Sequence, residues 1–352
     1  MTAAVQPAPA PPAAGPAVRH RGTDALRGVA VLLVMLRHGW PETFPGAGLV
    51  GVVMFFGLSG YLITGVLLDD LTRHGQVRWR RFYLRRAVRL LPALLALLGV
   101  LVAVTLALDP LGDRDQLLRT VVIALTWTAN LPVGLGSDAT YHLWTLATEE
   151  HFYLLWPLVL AVGAAHGRLG RAIAVTGVAT TAACLATVAW LAEDPDLAYA
   201  LPTTWATCFV VGGAARWWVA RSGPRGWRPA PWLVAACLAV LAVLAVLPLR
   251  DHAATYLVGG PTIAALTCVC ILGALGAGST GSWPPALAPV LTPLVLLGTV
   301  SYGAYLWNYP LTLWLRPELG AAAGPVAFAA TLVAATLSWR WIEAPTSRRI
   351  RP

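Results

Sequence analysis

The sequence contains no lysine and few charged residues of either sign. Only 12% of its 352 residues are charged; all 25 basic residues are arginine, and 16 residues are acidic. A soluble globular domain carries roughly 25% charged residues, whereas 57% of this chain is hydrophobic, with a mean hydropathy of +0.67. The composition excludes an ordinary soluble domain and predicts an all-α, polytopic integral membrane protein.

Cysteine is also scarce. The five cysteines all fall inside apolar stretches: Cys184, Cys208, Cys237, Cys268 and Cys270. The closely spaced Cys268 and Cys270 lack a second pair of ligands, and buried free cysteine is mostly a packing residue. We therefore expect neither a disulfide framework nor a metal site.

The net charge of +9 comes entirely from arginine. A basic chain can bind nucleic acid when its charges share one face. Here the arginines lie between apolar segments, which is typical of signals that orient a membrane protein. The expected partner is the lipid bilayer, and no nucleic-acid partner is expected.

Apolar segments near 20 residues, enough to cross about 30 Å of hydrocarbon, predict ten spans. They are 26–43, 48–68, 88–108, 142–164, 172–192, 202–220, 231–249, 254–276, 294–315 and 325–343. One further run, 118–133, is marginal for crossing and is predicted to be a re-entrant segment.

The distribution of arginine supports this topology. If 118–133 returns to its own side, 20 arginines lie on the side of both termini, and Arg37 lies within a span. Four lie opposite: Arg114, Arg119, Arg250 and Arg316. If 118–133 crosses, the basic connections 166–171 and 216–228 move outside. The positive-inside rule therefore favours ten spans with both termini in the cytoplasm.

The two ends of the chain differ from the rest. Residues 1–20 are rich in Ala and Pro, which predicts a disordered tail. This region lacks the charged start and apolar run of a signal peptide, so the first span is expected to stay in the membrane. Residues 21–347 form the predicted membrane domain, and 348–352 form a short basic cytoplasmic tail.

Arg27 and His38 are separated by three helical turns, so they share one helix face about 16 Å apart. With Arg27 at the cytoplasmic headgroups, His38 is expected near the middle of the bilayer. Ionisable groups at that depth usually mark a site or pathway. A histidine that packs against a neighbouring helix is the alternative.

Two glutamates lie in the stretch YHLWTLATEEHFYLLWP. A span that enters from the opposite face at His142 reaches Glu149 and Glu150 after about 10 to 12 Å, a depth similar to that of His38. A carboxylate beside an imidazole fixes its tautomer and stabilises the imidazolium. We predict His38 as general base with one glutamate orienting it; a structural ion pair is the alternative.

The loop 71–92 contains seven arginines. Arg86 and Arg89 are spaced i, i+3 at the start of a helix, so both guanidinium groups can bind one polyanion. A solvated or lipid-facing surface explains such a run equally well.

Six motifs in this order resemble the membrane-bound O-acyltransferases of acyltransferase family 3. They are TDALRGVAVLLVMLRH, GVVMFFGLSGYLIT, RRFYLRRAVRLLP, YHLWTLATEEHFYLLWPLVL, VSYGAYLWNYP and LSWRWIEAP. The resemblance implies a plasma-membrane enzyme that moves an acyl group, often acetyl, from cytoplasmic acyl-CoA to an acceptor hydroxyl. The implied acceptors are glycans, lipid-linked sugars and macrolide-type metabolites.

The resemblance also implies roles for particular residues. Arg27 and His38 match the family's Arg-x10-His pattern, and Glu149 and Glu150 match its double glutamate. Arg27, Arg86 and Arg89 are then expected to bind the phosphates of CoA, with the thioester carried towards His38. Four positions depart from the usual residues: Val53, His151, Asn308 (usually histidine) and Ala344.

A proton-coupled transporter or flippase is the alternative function. His38 with buried carboxylates would also form a proton relay. The chain shows no related halves with paired broken helices, which argues mildly against a transporter.

Overall fold

The computed structural model describes residues 20–131, 136–223, 227–278 and 285–348. Within these ranges every regular element is helical, which confirms the all-α prediction. Apart from His20 and Arg348, the predicted terminal tails 1–20 and 348–352 lie outside the described residues. The α-helices are α1 (Arg21–Gly39), α2 (Ala47–His74), α3 (Trp79–Ala107), α4 (Leu117–Thr126), α5 (Trp144–Ala165), α6 (Leu169–Trp190), α7 (Pro202–Ser222), α8 (Pro231–Ala245), α9 (Gly260–Gly278), α10 (Ala288–Thr299), α11 (Ser301–Leu319), α12 (Ala323–Ser338) and α13 (Ala344–Arg348).

Five helical stretches among these residues are long and apolar enough to cross a bilayer. They are α2, α3, α6, Thr255–Leu275 (a π turn that continues into α9) and Ser301–Arg348. The last stretch turns back at Gly320, whose positive φ of 52° suits glycine, so that α11 packs against α12. α8 and α10 are apolar but have only 15 and 12 residues. The ten spans and the cytoplasmic termini remain predictions.

The segment predicted to be re-entrant contains a short helix. α4 has ten residues, which gives a length of about 15 Å, half of the hydrocarbon thickness. It ends at Thr126, because the next residue, Trp127, has a left-handed φ of 57° that stops the helix. A helix of this length does not cross a bilayer by itself, and the return of the chain to its own side remains a prediction.

α1 ends at Gly39, four residues before the predicted end of the first span. Pro41 explains the difference, because proline cannot donate a backbone hydrogen bond and disfavours helical backbone at the preceding residue. Trp40 accordingly has φ −135° and ψ 68°. His38 therefore lies in the last turn of α1, and its position near the middle of the bilayer remains a prediction.

The predicted span 294–315 is two helices. The backbone leaves helical geometry at Val300, with φ −101° and ψ 13°, and α11 begins at the next residue. α10 packs along α1, whereas α11 packs mainly against α12 and α1. The two apolar runs join in the sequence, so hydropathy alone does not reveal the break.

α2 forms the centre of the bundle and packs against α1, α7 and α9. Its buried face belongs to the main apolar core, where Phe56 contacts Trp144, Trp205 and Phe209, and Trp144 contacts Trp205. Their ring centroids lie 4.5 to 6.4 Å apart, the range in which aromatic rings attract. This cluster fixes the start of α5 relative to α2 and α7.

α1 and α10 approach each other closely through two glycines. A Cβ atom at Gly28 would overlap the backbone carbonyl of Leu294, and a Cβ atom at Gly298 would overlap that of Asp24. Small residues allow membrane helices to pack backbone to backbone. The position of α1, which carries Arg27 and His38, depends on this contact.

Replacing Gly298 with Ala should lower the free energy of unfolding by about 1 to 3 kcal/mol, because the added methyl group separates α1 from α10. Thermal unfolding of the detergent-purified protein measures the loss. Gly99→Ala is the matched control, since no atom lies within 4 Å of a Cβ there. Equal melting temperatures for the two variants would contradict the proposed close contact.

Candidate active site

Two cavities lie at opposite ends of α1 and α11. The first, of about 230 Å³, lies where α1 ends and α2 begins, and we call it the His38 cavity. The second, of about 120 Å³, lies where α11 begins, and we call it the Arg86 cavity. Most predicted site residues divide between them: His38 lines the first, and Arg27, Arg86, Arg89 and Glu149 line the second, whereas Glu150 lines neither.

Three residues, Val52, Thr145 and Tyr305, line both cavities and form the wall between them. The hydroxyl groups of Thr145 and Tyr305 are hydrogen-bonded to each other, and Tyr305 donates to the backbone carbonyl of His142 at 2.8 Å. All of these groups are buried. The wall is therefore only one layer of side chains thick.

A chain of hydrogen bonds fixes the tautomer of His38. The hydroxyl of Thr331 donates to the carbonyl of Ala327 at 2.6 Å, so its oxygen accepts from Asn308 Nδ2 at 3.1 Å. This orients Asn308 Oδ1, which can only accept, towards His38 Nδ1 at 2.7 Å. The proton therefore lies on Nδ1, and Nε2 is the basic nitrogen.

The partner of His38 differs from the prediction. We expected Glu149 or Glu150 to orient the imidazole, but Asn308 does so. The reason lies in the helix ends: α1 stops at Gly39, and α5 starts at Trp144. His38 is thus level with the residues that precede α5, and both glutamates lie at least one helical turn further along.

The glutamates instead contact residues of the Arg86 cavity. Glu149 accepts hydrogen bonds from Ser59 at 3.1 Å and from Tyr153 at 3.2 Å. Glu150 accepts from Arg86 Nη2 at 2.7 Å. With 16% and 19% of their side chains exposed, Arg86 and Glu150 form a largely buried ion pair.

The arginines of the Arg86 cavity are held in different ways. The guanidinium of Arg86 stacks 3.2 Å from the centre of the Tyr153 ring, and its buried Nε has no hydrogen-bond partner among the described residues. Arg27 Nε donates to Ser301 Oγ at 3.2 Å. Arg89 is exposed within the cavity. The cavity thus presents several unused N–H donors.

His142 is a functional candidate that the sequence analysis used only to mark the start of a span. It is 3% exposed, lines the His38 cavity, and neither ring nitrogen makes a hydrogen bond of normal geometry with the described residues. His38 and His142 both pack on the Tyr309 ring, at centroid distances of 4.8 and 5.2 Å. The signal available in the sequence was a histidine just before an apolar helix, in a chain that has only seven histidines.

The sequence of the chain matches the family described as an acyltransferase domain, acyltransferase family 3, over residues 20–342. This confirms the resemblance drawn from the six motifs. No solved structure matches the chain significantly.

Curated relatives carry O-acetyltransferase names. The chain is 28% identical over 349 residues to the peptidoglycan O-acetyltransferase OatA of Listeria monocytogenes, covering 92% of this chain and 55% of that protein. It is 31% identical over 369 residues to the putative peptidoglycan O-acetyltransferase YrhL of Bacillus subtilis, covering 92% and 54%. The chain spans about half the length of these relatives. The match to the family covers most of the chain, which therefore belongs to acyltransferase family 3.

Proposed function

We propose that this chain is a plasma-membrane O-acyltransferase with its donor in the Arg86 cavity and its acceptor in the His38 cavity. The observation that carries this proposal is the pair of cavities that share one thin wall and are each lined by several polar and charged side chains. One offers unused arginine donors, and the other offers a histidine with its basic nitrogen defined. Such an arrangement suits two substrates that enter from different sides.

The proposed donor is acyl-CoA, with acetyl-CoA favoured by the names of the relatives. Arg27, Arg86 and Arg89 would bind its phosphates, since guanidinium groups match phosphate geometry. The buried Nε of Arg86 supports this role, because an unpaired buried donor is costly without a ligand. Glu150 and Tyr153 hold the Arg86 side chain in place.

The proposed acceptor is a hydroxyl group of a glycan, as the names of the relatives suggest; a lipid-linked sugar or a glycosylated metabolite offers the same chemistry. Since the two cavities lie at opposite ends of α1, we propose that they open towards opposite membrane faces. The Arg86 cavity would face the cytoplasm, where acyl-CoA is made. The acyl-CoA thioester would then reach between Thr145 and Tyr305 to meet the acceptor hydroxyl beside His38.

In the proposed reaction, His38 Nε2 takes the proton of the acceptor hydroxyl as its oxygen attacks the thioester carbonyl. The tetrahedral intermediate collapses to an ester and CoA thiolate, which takes the proton back from the imidazolium. Asn308 accepts a hydrogen bond from Nδ1 throughout and keeps Nε2 available. We predicted that Glu149 or Glu150 orients His38. In this proposal they instead position side chains of the donor cavity: Glu149 accepts hydrogen bonds from Ser59 and Tyr153, and Glu150 pairs with Arg86.

Replacing Arg89 with Gln should weaken acyl-CoA binding without removing a buried ion pair. A ligand at 100 times its dissociation constant stabilises the native state by about 2.7 kcal/mol. Thermal unfolding with and without acetyl-CoA measures this gain, which should fall in Arg89→Gln and stay unchanged in the exposed control Arg171→Gln. No stabilisation of the wild-type protein by acetyl-CoA would contradict the proposed donor.

Replacing His38 with Ala should lower acyl transfer by about 10²- to 10⁴-fold, the usual contribution of a general base. Ester-linked acetate released by mild base from the envelopes of expressing cells measures the transfer. The stabilisation by acetyl-CoA should persist, because His38 lies outside the Arg86 cavity. Near wild-type ester content in this variant would exclude His38 as the base.

A further inference from the structure

The His38 cavity contains positive charge that the proposed reaction does not use. Three arginines line it, Arg37, Arg250 and Arg316, and no aspartate or glutamate is among its described lining residues. They come from the last turn of α1, the connection after α8, and α11. Elements distant in the sequence thus bring cationic groups to one cavity.

Each arginine is positioned by a different contact. Arg316 Nη2 donates to the backbone carbonyl of His38 at 2.7 Å, which leaves its other N–H groups for a ligand. Arg250 lies 4.6 Å over the Tyr199 ring, and its Nε is 3.8 Å from the carboxylate of Asp251. The side chains of Arg250 and Asp251 are 40% and 61% exposed, so solvent weakens the attraction between their charges.

Arg37 forms no ion pair or hydrogen bond with the described part of the chain. Its aliphatic stem packs over Gly48, where an added Cβ would lie 2.8 Å from Arg37 Cγ. A glycine at this position therefore makes room for the arginine beside the cavity. The charge is held at the cavity without a protein anion to neutralise it.

The predicted topology makes this cluster unusual. Only five of the 25 arginines are predicted to lie within a span or away from the side of the termini, and three of these five line this cavity. Orientation in the membrane does not explain them, because the positive-inside rule places arginine on the other side. Binding of an anion by the cavity does explain them.

His142 is the second indication of a ligand in this cavity. It is buried, it lines the cavity, and neither of its ring nitrogens makes a hydrogen bond of normal geometry with the described residues. Leaving such groups buried and unpaired costs free energy. A hydroxyl-rich ligand would satisfy them.

We propose that the His38 cavity binds an anionic acceptor, a sugar that carries a carboxylate or phosphate group close to the hydroxyl that is acylated. Arg37, Arg250 and Arg316 bind the anion, and His142 hydrogen-bonds the sugar. The inference rests on the proposed function and specifies its acceptor. Guanidinium groups bind both kinds of anion through paired hydrogen bonds.

The test compares sugars that differ only in charge, with the full-length protein in detergent and saturating acetyl-CoA. N-acetylglucosamine is the neutral probe; N-acetylmuramic acid adds a carboxylate, and N-acetylglucosamine 1-phosphate adds a phosphate. Thermal stability as a function of sugar concentration gives the affinities. At least one anionic sugar should bind about tenfold more tightly than the neutral sugar, equivalent to about 1.4 kcal/mol. The preference should shrink as salt is added.

Three variants assign the preference to the cavity. Arg37→Gln and Arg316→Gln should reduce the ratio of the affinities for the anionic and neutral sugars towards one. Arg37→Lys keeps the charge and should retain most of this preference. Arg114→Gln is the matched control, because this exposed arginine pairs with Asp109 outside the cavity. Each variant must keep its stabilisation by acetyl-CoA, which shows that it is folded.

Three outcomes would overturn the inference. They are equal affinity for neutral and anionic sugars, no binding of either anionic sugar, and a preference that persists in both glutamine variants. These outcomes leave the donor site intact. Failure of the proposed function is distinguishable, because it would remove the stabilisation of the wild-type protein by acetyl-CoA. Binding of only one anionic sugar would support the inference and identify the charged group.

Discussion

The hydrogen bonds between Tyr305 and the start of α5 separate the two cavities, and the rest of the proposed site depends on this separation. Tyr305 contacts the Thr145 hydroxyl and the His142 carbonyl in a buried region. Buried hydroxyl groups keep such partners because water is not available to replace them. The donor and acceptor can thus occupy different cavities, and the thioester has to pass only one layer of side chains to reach the acceptor hydroxyl.

Two helices connect these cavities. α1 contributes Arg27 to one cavity and His38 to the other, about 16 Å apart along its axis. α11 contributes Ser301, Tyr305 and Asn308, which contact Arg27, the wall and His38 respectively. Because Arg27 and His38 lie on one helix, the helical rise sets the distance between the donor and acceptor sites, and the close glycine contact with α10 fixes that helix in the bundle.

The sequence predicted the features that depend on composition and spacing. Apolar runs located most helices, and the spacing of Arg27 and His38 placed both on one helix. The prediction failed at the end of α1, where Pro41 stopped the helix earlier than the hydropathy indicated. An extended apolar run also concealed the break at Val300.

Contacts between helices were the part that the sequence did not reveal. The assignment of a glutamate to His38 followed from a match of depth, but depth does not determine which side chains face each other. Asn308 is the partner in the structure because α11 places it against the last turn of α1. His142 was overlooked because its unpaired nitrogens become evident only when the surrounding residues are in place.

The most direct test of this account asks whether the two cavities open to opposite faces of the membrane. Cysteine is introduced at Arg89 or at Arg316 and exposed to a membrane-impermeant maleimide in sealed right-side-out and inside-out vesicles. The five native cysteines are buried, so they should give little background. The account predicts labelling of Arg316→Cys in right-side-out vesicles and of Arg89→Cys in inside-out vesicles. Labelling of both from the same face would contradict it.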